Sequence, residues 1–216
     1  MSFLKKFKDL TIDSLKEYKK IIIILYILFI ILFIASWMVS SETISANLQD
    51  IQNASATTQS PLSDNDSPLY LFIHNERGGI VTYITSIFFG ISAVVMLAFN
   101  ALNLGAIGAL FSILLPSGGL QYIIYLIPHG IFEITATVIQ SVAGIVLFLF
   151  IWRFLKSIIK SDENRFMQKC RASFSIHKKV LIQSIVLMIF ATILLIIAAP
   201  IEAYFSVPFS EFIMGV

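Results

Sequence analysis

Two basic segments, and the uncharged chain between them, decide most of what this sequence can become. Fourteen of its fifteen lysines and arginines lie in residues 1–20 and 153–180; Arg77 is the exception. From residue 78 to residue 132 there is no Asp, Glu, Lys or Arg. A run of that length without a charge suits several membrane crossings and not one large soluble core. Composition agrees: 13% of the 216 residues are charged and the mean hydropathy is +0.88. Soluble domains carry about 25% charge. The single cysteine, Cys170, excludes an internal disulfide framework.

The expected fold class is all-α, a polytopic membrane bundle of about five transmembrane helices. Residues 1–20 form a basic amphipathic helix, with Phe3, Phe7, Leu10, Ser14 and Tyr18 at helical spacing. Residues 21–216 form one bundle. The first span, Ile21–Val39, covers about 28 Å, close to the hydrocarbon thickness. It is too long and starts too late for a cleavable leader. A polar loop follows over 41–69, rich in Ser, Asn and Asp and free of Lys and Arg. Asn53 and Asn65 there fit the N-glycosylation triplet, which a loop of this composition also makes by chance. A polar break over 70–79 precedes a second span, Ile80–Phe99, and a turn at Asn100–Gly105. Ala101, Gly105 and Ala109 repeat every four residues and so allow a close helix crossing. The third element is short, Asn103–Leu115, and is expected to be broken or re-entrant around 116–127, where Pro116, Gly118 and Gly119 oppose a helix. Leu120–Ile127 is expected in the outer interface. The fourth span is Glu133–Trp152, the basic segment 153–180 a loop with an interfacial part, and the fifth span Val180–Ala199. Because basic loops stay cytoplasmic, the N-terminus is expected inside, and 41–69 and the C-terminus outside.

The candidate site lies on the exterior side of that arrangement. Pro128 suits the first turn of a helix, and on that helix His129 and Glu133 are four apart and share a face. Thr137, Gln140, Ser141 and Gly144 continue the stripe inward. A carboxylate at the membrane edge is costly unless it is paired or solvated. The residues expected to gather are His74, Asn75, Asn100, Asn103, His129, Glu133 and Glu202.

Three patches resemble the stage II sporulation protein M family of integral membrane proteins. They are Phe72-Ile-His-Asn75; Asn100-x-x-Asn103-x-Gly105 leading to Pro128-His-Gly-Ile-Phe-Glu133; and Ala199-x-Ile-Glu-Ala203. Two positions depart from the family's habit: Ala101 follows Asn100 where the family often has glycine, and Ser206-Val-Pro208 stands for its Thr-Pro. The resemblance implies a five-span fold and a role in membrane assemblies.

The leading functional expectation is therefore a non-enzymatic membrane scaffold. It has no catalytic residue, no bound metal and no cofactor. Its partners would be the lipid bilayer, other membrane or cell-envelope proteins, and a second copy of the chain as a homo-oligomer. A small oligomeric transporter or channel using the intramembrane carboxylates is the alternative. A membrane-embedded metallohydrolase using His129, Glu133, His74 and Glu202 ranks below it, because His-x-x-x-Glu is one histidine short of the zincin motif. Basic segments that alternate with spans are topogenic flanks, so no nucleic acid is expected.

Overall fold

The chain was analysed as a computed structural model, which describes residues 3–47, 67–115, 117–161 and 165–215. Asn53, Asn65, Pro61, Pro116, Asp162 and Glu163 lie outside the described residues. Among the described residues, seven α-helices carry the fold: α1 (Phe3–Glu17), α2 (Lys19–Ala46), α3 (Pro68–Phe89), α4 (Ile91–Leu114), α5 (Gly118–Lys160), α6 (Phe166–Ile201) and α7 (Val207–Met214). A π-helical stretch, Glu202–Ser206, joins the last two.

Among the described residues, four stretches are long and apolar enough to cross a membrane: α2, α4, α5, and α6 with its C-terminal continuation. The 22-residue α3 packs beside them, against α4, α5 and α6. Side-chain pairs set the helix directions. Ser157, Ala143 and His129 of α5 meet Ser173, Ser184 and Ser206, so α5 and the α6 end of the chain run antiparallel. On α3, Gly79, Ser86 and Gly90 face Gln140, Gly144 and Phe148, which makes α3 parallel to α5. Tyr26 and Trp37 of α2 meet Thr135 and Tyr122, antiparallel to α5. The long helices therefore alternate in direction from α2 to α6.

Small residues set how closely they pass. Ala101, Gly105 and Ala109 are buried, as their four-residue spacing predicts, and their partner is α2. A Cβ on Gly105 would stand 2.3 Å from the Phe33 carbonyl oxygen. The α5–α6 seam is equally dense: Ala136, Val142, Ala143 and Val146 pack with Leu187, Ala191 and Leu195. Large apolar side chains face outward, for example Ile23, Ile27, Ile30, Ile34 and Met38 along α2. In lipid this inside-small, outside-greasy arrangement is the stable one.

Several boundaries differ from expectation, each for a physical reason. The turn falls at Gly90, not at Asn100–Gly105. Gly90 has φ 63° and serves at once as C-cap of α3 and start of α4. Only glycine adopts that backbone without strain, and an added Cβ would also press on Phe148 at 3.1 Å. Asn100–Gly105 lies inside α4, where Asn100 and Asn103 line a cleft between helices. The 70–79 stretch is helical too, within α3, whose Ser67 cap accepts a bond from the Tyr70 amide. With Ile91 as its start, α4 has 24 residues, roughly 36 Å, and needs no thinned membrane.

The chain does break between α4 and α5, where Leu115 is extended and Ser117 has φ 57°. Beyond it, however, Leu120–Ile127 is not a separate interfacial piece; it is the start of the 43-residue α5. Tyr122 fixes it by donating to the Leu104 carbonyl at 3.0 Å and by packing against Trp37 and Phe111. Pro128 consequently sits inside a helix and not at its first turn.

In the basic segment 153–180, residues 153–160 are the end of α5 and residues 166–180 the start of α6. They are tied by Ser173 to Ser157 at 3.1 Å, Lys169 to the Ser161 carbonyl at 2.6 Å, and Phe174 against Phe150. The α1 helix buries Thr11 and Ser14 and packs mainly on α6, and Tyr18, which caps α2, is buried beside it. Its anchor is polar. Gln183 donates to Glu17 at 2.6 Å, Lys179 pairs with the same carboxylate at 3.2 Å, and Tyr18 donates to Gln183. The Gln183 bond, followed by Lys179, holds the Glu17 carboxyl below its ordinary value against opposing burial. Docking is thus favoured by the ionised carboxylate above the free-carboxylate range, and that contribution is lost as pH falls through the depressed value. A spin-label pair at Asp13→Cys and native Cys170 should lengthen or broaden when pH drops from about 7 to about 3. Glu17→Gln should flatten this response; an unchanged pH response in that variant would refute the anchor.

Candidate polar cleft and carboxylate cluster

The seven expected residues fall into two adjoining places that share Glu133. The first is an open cleft of about 830 Å³ lined by α2, α3, α4 and α5, with Leu195 of α6. His74, Asn75, Asn100, Asn103 and Glu133 all line it, with Arg77, Thr137 and Gln140. Its remaining wall is apolar, with Phe29, Met96, Phe99 and Leu110 among the lining residues. No hydrogen bond among the described residues engages the side-chain amides of Asn75, Asn100 or Asn103. His74 stacks on Tyr70, with ring centroids 6.1 Å apart.

The second place is a cluster of His129, Glu133 and Glu202, whose donor atoms lie within 4.8 Å of one another. The α-helical spacing of four puts His129 and Glu133 on one face of α5. Glu202 arrives from the far end of the chain by a different device. The π-helical stretch inserts an extra residue into the turn, and both Glu202 and Ser206 come round to face α5. His129 is 2% exposed, and its Nδ1 lies 2.8 Å from Ser206 Oγ. Tyr125 packs edge-on against the ring at 5.1 Å. His74 stays in the cleft, outside this trio.

A third group joins three helices deeper in the bundle. Glu76 of α3 is buried and accepts from Gln140 of α5 at 3.1 Å and from Thr192 of α6 at 2.7 Å. Glu76 and Gln140 both lie in the polar stretches already noted, but Thr192 and Gln183 were not anticipated. Their signal was present: they are polar side chains inside the apolar run 180–199, where such groups ordinarily bond across helices. Glu42 is exposed near the end of α2, apart from these groups.

The fold and these sites define a polytopic α-helical membrane protein with a polar cleft held among its spans. The family model described as stage II sporulation protein M matches residues 22–207, and the chain belongs to that family. No curated protein and no solved structure matched it.

Proposed function

We propose that this chain is a non-enzymatic assembly component of the cell membrane, which organises an envelope complex by receiving a segment of a partner protein in its polar cleft. The observation that carries this reading is the wall of the cleft. Asparagine side chains from α3 and α4 offer donors and acceptors there that no described hydrogen bond engages. Amides so placed suit a polypeptide backbone or side-chain amide. Membership of a family whose named member acts in a membrane complex supports the same reading.

In this reading the N-terminus is cytoplasmic and the cleft, the cluster and the C-terminus lie toward the exterior. The motive is the confinement of fourteen of the fifteen basic residues to 1–20 and 153–180. Ser60→Cys should react with an impermeant thiol reagent on intact cells while native Cys170 stays protected. The reverse labelling pattern would sink the orientation.

The function is tested by a photo-crosslinking residue at Asn103, with Ile27 on the outer face of α2 as control. A defined envelope protein captured at Asn103 and absent at Ile27 is the expected result. If Asn103 captures no protein and the purified chain drives ion flux in liposomes that Glu133→Gln abolishes, the transporter alternative replaces the scaffold.

A further inference from the structure

We propose that His129, Glu133 and Glu202 form a binding site for one divalent transition-metal ion of the zinc or manganese type, pinning the C-terminal end of the chain to α5. The inference is independent of what occupies the cleft, and it departs from the expectation that these residues hold no metal.

The donor set is one imidazole and two carboxylates, which suits both ions. Donors about 2.1 Å from one tetrahedral ion stand about 3.4 Å apart. The observed donor atoms lie within 4.8 Å of one another, so side-chain rotations that move them by roughly 1 Å close the set. The three residues come from two separate stretches of chain, and the local structure on each side serves the convergence. On α5 the four-residue spacing aligns His129 with Glu133. At the other end, the π-helical stretch turns Glu202 inward. π-Bulges recur at functional sites.

The histidine supplies the second, independent observation. Ser206 Oγ is within hydrogen-bond distance of both the Ile201 carbonyl oxygen, at 3.1 Å, and His129 Nδ1, at 2.8 Å. When the hydroxyl donates to the carbonyl, which can only accept, it accepts from Nδ1–H, and Nε2 then carries the lone pair. The described hydrogen bonds leave Nε2 unclaimed, on a side chain that is 2% exposed and has a ring nitrogen within 4.8 Å of an oxygen of each carboxylate. Ligating histidines are oriented in this way by a bond to their other nitrogen. A shared proton is the rival occupant of two neighbouring carboxylates.

The test is metal analysis of the full-length protein, purified in detergent with a tag free of histidine and equilibrated with Zn²⁺ or Mn²⁺. Wild type should retain about one ion per chain. His129→Ala and Glu202→Gln should each weaken binding at least ten-fold, and Ser206→Ala should weaken it about ten-fold without abolishing it. Glu76→Gln, a buried carboxylate outside the cluster, should bind as wild type does. X-ray absorption on the zinc form of the wild type guards against misfolded variants. It should show nitrogen and oxygen donors with a single imidazole. The proposal is overturned if wild type holds no stoichiometric ion, which leaves the shared proton. It is equally overturned if His129→Ala and Glu202→Gln bind normally, or if the spectrum shows sulfur or several imidazoles.

Discussion

Gly105→Ala is expected to separate α2 from α4 and to cost about 3 kcal/mol, the upper part of the range for overpacking a dense contact. The added Cβ would lie 2.3 Å from the Phe33 carbonyl oxygen and 3.0 Å from the Trp37 amide nitrogen. Both are backbone atoms and cannot rotate away, so the helices themselves must part. Parting them also stretches the bond from Ser36 Oγ to the Leu102 carbonyl, now 2.6 Å. Gly108 gives a graded comparison. Its new Cβ would meet only the Trp37 ring, a side chain that can swing at the expense of its contacts with Phe33 and Tyr122. Gly108→Ala should therefore cost less than Gly105→Ala. At Gly78 nothing lies within 4 Å, and alanine there should be neutral or stabilise α3 by up to about 1 kcal/mol. Unfolding in mixed micelles by graded denaturing detergent would rank the three. Should Gly105→Ala unfold with Gly78→Ala, the close α2–α4 crossing is wrong.

That crossing was legible because spacing alone carries it: Ala101, Gly105 and Ala109 need only a helix to fall in line. The all-α membrane architecture was legible for a similar reason, since charge segregation and apolar length do not depend on which helix meets which. Boundaries failed where a residue's meaning depends on its surroundings. Asn100 and Asn103 read as turn residues in water, yet inside a bundle the same amides line a cleft. Gly90 looked unexceptional in an apolar run, and only the backbone reveals its positive φ. The pairing of His129 with Glu133 followed from helical periodicity. The approach of Glu202 depended on a π-helical stretch that no residue pattern announces, and that of Thr192 to Glu76 on long-range packing.

Glu76→Ala should be among the most damaging single changes in the chain, because Glu76 is the acceptor on which three helices converge. Removing the carboxylate leaves the Gln140 amide and the Thr192 hydroxyl without their partner in a setting with little water. Each unsatisfied donor costs about 1–3 kcal/mol, so a loss of about 2–5 kcal/mol is expected. Thr192 retains part of its bonding through the Met188 carbonyl at 3.1 Å, which places the outcome below the sum of two full penalties. Glu76→Gln separates charge from hydrogen bonding. Its carbonyl oxygen can still accept from Thr192, and its NH₂ can donate to Gln140 once that amide flips to present its oxygen. Both contacts survive, so Glu76→Gln should stay within about 1 kcal/mol of wild type. Gly79→Ala should behave more like Glu76→Ala, since its Cβ would collide with the Gln140 amide and drive it off Glu76. Denaturing-detergent midpoints for the three variants decide the matter. If Glu76→Gln unfolds as early as Glu76→Ala, the negative charge holds the helices together, and a hydrogen-bonded acceptor is not a sufficient account.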